Sequence, residues 1–178
     1  MNLTPAMQNF ILHWGEMGAK WGVNRSVAQI HALLHISPDP MTAEEICETL
    51  NLARSNVSTG LKELQGWKLV KASRKLGDRR DHFHSIRDMY DLVNTVVEGR
   101  REREYVPTLT AMQEVLEEAK SDGTPESIRA RLKETTDVMA EFDRWYGDVS
   151  RLSRPVQKAL LKLGGRVAKL IPGGKSQG

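Results

Sequence analysis

Ser55, Thr59 and Lys62 recur at intervals of four and three in "ARSNVSTGLKELQG", so on a helix they share one side, while Val57, Leu61 and Leu64 share the opposite stripe. Arg54, Asn56 and Ser58 border the polar side. Short side chains there let the helix backbone approach a flat, hydrogen-bonding partner closely. Hydroxyls donate or accept, and a lysine reaches a guanine edge or a phosphate, so the chemistry offered is readout of base edges in a major groove. A second group follows in "GDRRD", where Arg79 and Arg80 occupy a turn flanked by Lys71, Arg74 and Lys75. Arginine on a turn is drawn to the negative potential of a narrow minor groove. Asp78 and Asp81 are placed to orient those guanidiniums by paired hydrogen bonds. A merely solvated helix face and an ordinary hairpin loop are the plain alternatives for each group taken alone.

Other reactive residue types offer less. His31 and His35 stand four apart on a helix, a metal-binding spacing, but the Glu of a zincin motif and a neighbouring Cys pair are missing, so they read as solvent-facing or partly packed histidines. His82 and His84 share one strand face beside the turn, near phosphates if they have a role. Cys47, the only cysteine, lies at core spacing beside Ile46 and Leu50 and reads as a small buried hydrophobe. No Gly-rich phosphate loop, nucleophile elbow or paired carboxylates with a base occur. The expectation is a non-enzyme without metal or cofactor.

Charge is segregated along the chain. Leu50 to His82 holds eight Lys/Arg against three acids, Glu102 to Asp148 twelve acids against six bases, and Arg151 to the end seven bases and no acid. A basic patch gains free energy by releasing counterions from a polyanion, so the middle is the nucleic-acid candidate, and the basic tail is the second. The start of the chain lacks the pattern of a secretory leader and no run is apolar enough to span a bilayer, which predicts a cytoplasmic protein without a membrane partner.

The elements that must position these residues follow from periodicity. Phe10, Trp14, Met17 and Trp21 mark a helix over 5–22, and Val27, Ile30, Leu33 and Leu34 a second over 25–36. Thr42 and Glu45 form a capping box for a helix of about two turns, and another helix runs over 54–66. "WKLVKASRK" and "DHFHSI" alternate as a hairpin around "LGDRRD". Helices then follow over 87–104, 106–120, after Pro125 to about Tyr146, and 155–170, with "IPGGKSQG" fraying. The fold class predicted is mainly α with a small β-hairpin wing: a winged helix-turn-helix core with N- and C-terminal dimerisation helices. The divisions are 1–24, an N-terminal helix contributing to dimerisation; 25–86, the DNA-binding winged helix; 87–171, helical dimerisation; and 172–178, a flexible tail.

"MTAEEICETLNLARSNVSTGLKELQGWKLV" followed by "GDRR" resembles the winged-helix core of MarR-type bacterial transcriptional regulators. "GEMGAKWGVNRSVAQIHALL" before it, with "EGRREREYVPTL" and "EFDRWYGDVSRL" after it, resembles the GbsR-like branch, from about residue 8 to 153. One departure is Ala53, where that family usually has a hydroxyl residue capping the recognition helix. The resemblance implies a dimeric DNA-binding regulator, with a recognition helix around Arg54 to Gln65 and a wing around Lys71 to His84.

Dimerisation is also expected from the residues themselves. A winged-helix core needs only about 80 residues. The flanking helices carry further stripes: Leu92, Val96 and Val97; Leu109, Met112, Val115 and Leu116; Val138, Phe142 and Trp145. A two-fold bundle buries them all; a self-contained helical domain buries some. Trp14, Trp21, Trp145 and Tyr146 either pack that bundle or line an effector pocket, where aromatic faces attract a quaternary ammonium. The resemblance implies an effector of that kind. Val156, Leu160, Leu163, Val167 and Leu170 alternate with Lys and Arg in a basic tail helix read as a dimer or partner contact rather than a membrane surface. Double-stranded DNA, a second copy of the chain and a small effector are thus the partners expected of a homodimeric repressor; the alternative is a helical interaction protein whose winged helix binds protein rather than DNA.

Overall fold

The computed structural model describes residues 1–164 and 166, in two compact units, Met1–Arg101 and Glu102–Gly178. The first contains α1 (Pro5–Lys20), α2 (Arg25–Ile36), β1 (Met41–Thr42), α3 (Ala43–Leu50), α4 (Arg54–Gly66), β2 (Val70–Arg74), β3 (Asp81–Ser85) and α5 (Met89–Arg100). A π-helical segment, Arg101–Tyr105, is followed in the second unit by α6 (Val106–Glu118), α7 (Glu126–Ser150) and α8 (Arg154–Leu163). The fold is mainly helical with a small antiparallel sheet in the order β1-β3-β2.

Helix α2 is the centre of the first unit: Ile30, Ala32, Leu33 and Leu34 are almost wholly buried, and α1 and α4 pack on it. The core includes Ile46 of α3 and the α4 stripe Val57, Leu61 and Leu64. Glycines set how closely the helices approach. A Cβ on Gly18 would lie 2.5 Å from the Ala28 Cβ, and one on Gly60 would lie 2.8 Å from the Ile30 Cδ1. The buried face of α1 is therefore Ile11, Gly15 and Gly18, with Phe10, Trp14 and Met17 half-buried and Trp21 exposed. The apolar stripe read from the sequence is rotated from this face because glycine carries no hydrophobic signal.

Local chemistry fixes the helix ends. Thr42 and Glu45 form the predicted capping box, with the Thr42 N–H donating to Glu45 Oε2 at 2.7 Å. Asn51 adopts a left-handed conformation at the end of α3 and turns the chain toward α4. At the end of α4 the Leu69 N–H donates to the Leu64 carbonyl and the Lys68 N–H to the Gln65 carbonyl, with Lys68 at φ 61°. This Schellman arrangement sends the chain directly into the wing.

The first unit extends past residue 86, to Arg101. Leu92 is buried and Val96 half-buried in its core, Gly99 lies against the Trp67 ring, and the Arg100 guanidinium donates to the Trp21 carbonyl at 2.6 Å. Those residues of α5, and the buried face of α1, thus pack within the winged-helix unit. In the second unit α6 packs on α7, Leu109 and Thr136 are buried, and the Tyr105 hydroxyl donates to the Met139 carbonyl at 3.0 Å. Val138, Phe142 and Trp145 of α7 are each more than half exposed. Helix α7 runs one turn beyond the expected Tyr146. The tail-helix residues Val167 and Leu170, and the tail 172–178, lie outside the described residues.

Candidate nucleic-acid interface

Helix α4 presents the face its sequence predicts. Val57, Leu61 and Leu64 are buried against α2 and α3, and Arg54, Ser55, Asn56, Ser58, Thr59 and Lys62 are all exposed. Ala53 at the N-cap makes no side-chain cap. The Arg54 guanidinium pairs with Glu44 at 3.0 Å, although it is 81% exposed. Such a pair in water contributes little and exchanges readily for a phosphate.

The wing is the β2–β3 hairpin, paired from Val70↔Ser85 to Arg74↔Asp81. The Asp78 N–H donates to the Lys75 carbonyl at 3.0 Å, and Gly77 has φ 85°, so the tip requires a residue without Cβ strain. Lys71, Arg74, Lys75, Arg79 and Arg80 are all exposed. The two tip arginines differ. Arg80 is held by Asp78 through Nε at 3.0 and 3.1 Å and Nη2 at 2.6 Å. The same carboxylate accepts the Arg80 N–H at 3.0 Å. These bonds hold the Asp78 carboxyl well below the usual carboxylate range and raise the Arg80 guanidinium. Arg79 makes no ion pair among the described residues. Asp81, expected to orient a tip arginine, pairs instead with Arg74 at 3.5 Å because antiparallel register sets those two opposite each other.

The tip also faces α3. Glu44 and Glu45 help to raise Arg80, and Glu45 is itself lowered, first by the Thr42 N–H it accepts in the capping box. His82 lies against Asp78, with Nε2 3.6 Å from Oδ2, and its Nδ1 is 3.2 Å from the Arg80 carbonyl. Sequence reading missed this arrangement, although the i, i+4 spacing of Asp78 and His82 across a turn was its available signal. His84 faces the Lys71 position.

Helix α2 anchors the base of the wing. His31 is 4% exposed and shares a 3.0 Å hydrogen bond with the Ser85 hydroxyl, and His35 Nδ1 lies 3.2 Å from the Ile86 carbonyl. Burial, and then the neighbouring His35, lower the His31 pKa to about 4. The expectation of solvent-facing or partly packed histidines is thus corrected for His31: it is a core residue tying α2 to β3. Trp14 stacks on His35 at 6.3 Å and packs beside Phe10. Trp21 is exposed in the same unit, whereas Trp145 and Tyr146 belong to the second, where Trp145 packs on Phe142 at 5.5 Å. Among the described residues no three His, Cys, Asp or Glu side chains gather as a metal site, and no helix is long and apolar enough to cross a membrane. Cys47 is half-buried beside the core.

Comparison with known proteins shows what the chain is similar to. The MarR family model matches residues 21–81, the span from the end of α1 to the start of β3. Over 156 residues the chain is 26% identical to the HTH-type transcriptional repressor GbsR of Bacillus subtilis (strain 168), covering 85% of this chain and 83% of that protein. Residues 21–81 thus match the MarR family, and the chain as a whole is similar to a repressor of the GbsR kind. A transcriptional regulator of known crystal structure shares its fold, with a TM-score of 0.56 at 22% identity over 81% of this chain and 95% of that one. The family match contains α4, the helix with the exposed polar face.

Proposed function

We propose that the chain is a cytoplasmic, homodimeric repressor of the GbsR-like branch. Each protomer reads one half-site, with α4 in a major groove and the wing along the adjacent minor groove. The observation that carries this reading is the face of α4: six consecutive-turn polar or basic residues, Arg54, Ser55, Asn56, Ser58, Thr59 and Lys62, stand exposed over a fully buried apolar stripe. Ser55, Thr59 and Lys62 read base edges, Arg54 contacts phosphate, and Lys71, Arg74, Lys75, Arg79 and Arg80 carry the wing contribution, with Asp78 orienting Arg80. Residues 25–86 form the reading head, and the regions on either side, 1–24 and 87–171, contribute to the dimer.

The dimer is supported by α7, whose Val138, Phe142 and Trp145 stripe is 56–60% exposed in the single chain, the kind of surface a two-fold bundle covers. Two-fold symmetry sets the half-sites about 34 Å apart. A small cationic effector relieves repression by binding one arrangement of the dimer better than another, its candidate aromatic faces being Trp14 and Trp21 in the first unit and, separately, Trp145 and Tyr146 in the second. Trp14 is already engaged by His35, so the exposed Trp21 and Trp145 are the more available of the four.

The test is equilibrium binding of the full chain to duplex DNA from around its own gene, over a range of salt, with stoichiometry measured by sedimentation. Two protomers per site and a steep linear fall of log affinity with log salt are expected. A salt-insensitive interaction, or tight specific binding by one protomer, would remove this reading in favour of a protein-binding winged helix.

A further inference from the structure

The basic face of the winged-helix unit has an acidic corner. Thr42, the N-cap of α3, pairs with His82 of β3, so the first turn of α3 starts beside the wing. Glu44 in that turn meets Arg54 Nη2 at 3.0 Å, and Arg54 is the first residue of α4. Glu44 and Glu45 also act on Arg80 at the wing tip, where Asp78 grips it. Two arginines, Arg54 and Arg80, thus share one corner with three carboxylates, on a surface otherwise rich in Lys and Arg. Two of the carboxylates have local tasks: Asp78 orients Arg80, and Glu45 closes the capping box with Thr42. Glu44 is 43% exposed, and its ion pair is with Arg54.

On the reading that α4 enters a major groove and Arg54 meets phosphate, we propose that Glu44 is a specificity-determining residue. It holds Arg54 back from phosphate until α4 is seated, and so weakens binding to non-cognate DNA more than binding to the specific site.

The two arginines are held differently. Arg80 is fixed by Asp78 through both Nε and Nη2, whereas Arg54 is held through Nη2 and is 81% exposed. An ion pair of that kind is worth little in water, and a phosphate brought within reach of the guanidinium replaces the carboxylate. The replacement requires α4 to be seated, because Arg54 lies in its first turn. Non-cognate DNA is bound through counterion release, without the base contacts that seat the helix. Arg54 then stays on Glu44, and one positive charge is cancelled. In the specific complex the carboxylate that Arg54 leaves still has the field of Arg80, which lowers the cost of the exchange. Discrimination is a difference between two affinities, and Glu44 subtracts from the unwanted one.

The experiment measures the affinity of the full chain for a duplex selected from randomised DNA and for a scrambled duplex of equal length and composition, at several salt concentrations. The proteins are wild type, Glu44→Gln, Glu44→Asp, Arg54→Ala and the double variant Glu44→Gln with Arg54→Ala. Glu44→Gln should bind the scrambled duplex about twofold to fivefold more tightly, the range of one exposed ion pair, with a salt slope steeper by about one. It should gain less on the selected duplex, so the ratio of the two affinities falls. Glu44→Asp keeps the charge and should stay near the wild-type ratio. With Arg54 already removed, Glu44→Gln should change the scrambled-duplex affinity less than it does in wild type, since the two residues act as a pair. An unchanged ratio in Glu44→Gln, or an equal effect with and without Arg54, overturns the proposal, because the carboxylate then acts only through net charge. Weaker binding of both duplexes by Glu44→Gln overturns it as well, because Glu44 then presents Arg54 to DNA. A wild type that does not distinguish the two duplexes removes instead the underlying reading of α4.

Discussion

The buried His31 makes the stability of this chain depend on pH in a calculable way. Its ring is 4% exposed in the core of the first unit, and its pKa falls from 6.5 to about 4 because burial disfavours the imidazolium, with His35 adding repulsion. The unfolded chain therefore binds this proton more tightly than the folded one, and acid favours unfolding. The contribution of the neutral ring is complete above about pH 6.5 and is lost as the pH falls from there through about 4. With those two values, linkage removes about 2 kcal/mol by pH 5 and about 3 kcal/mol by pH 4. His31→Gln keeps an amide to meet the Ser85 hydroxyl and cannot titrate. Urea unfolding of wild type and this variant at a series of pH values isolates the term as the difference between the two curves. The variant is expected to be less stable at neutral pH, through imperfect packing, and to lose less stability toward pH 4. Parallel curves through that range would refute the assignment of His31 as a buried neutral ring.

Four further outcomes follow from the packing and the interface. Gly18→Ala places a Cβ 2.5 Å from the fixed Ala28 Cβ, so α1 must move off α2 and the first unit should lose about 1–3 kcal/mol in spite of alanine's better helix propensity. Gly66→Ala meets nothing within 4 Å and should gain up to about 1 kcal/mol, so urea midpoints moving in opposite directions check both. Deleting residues 102–178 should leave a folded winged-helix unit that sediments as a monomer and binds specific DNA much more weakly; a truncated chain that still dimerises would move the dimer interface into the first unit. Arg54→Ala should reduce the salt slope by about one contact without changing the preferred bases, read from binding at several salt concentrations, since its Glu44 partner yields easily to phosphate.

How much of this was legible in the sequence differs from element to element. Helices α2 and α4 match their periodic stripes end to end, and the Thr42–Glu45 capping box forms as its spacing requires, because those signals are local. The exposed polar face of α4 was legible for the same reason. The α1 interface was not, since Gly15 and Gly18 make their contact by lacking a side chain, and hydrophobic periodicity cannot register an absence. Strand β1 is two residues long and exists only through pairing with β3, a partnership some 40 residues away in sequence. The burial of His31 and the assignment of Asp78 to Arg80 and Asp81 to Arg74 depend on tertiary packing and strand register, which fix partners that composition leaves open. The stripe on α5 was read as dimer surface, but Leu92 and Val96 are used inside the first unit.

The division of work between α4 and the wing is tested most directly by selection on randomised duplex DNA with wild type, Thr59→Ala, Lys62→Ala, Arg79→Ala and Arg80→Ala, each at two salt concentrations. The helix variants should cost about 1–3 kcal/mol on the wild-type site and change the preferred base at one position in each half-site. The wing variants should weaken binding to all sites nearly alike, reduce the salt slope by about one per lost contact, and remove any preference for narrow A-tract flanks. If the wing variants re-specify the central bases of each half-site while the helix variants only bind more weakly, the reading surface is the wing and α4 has been given the wrong role.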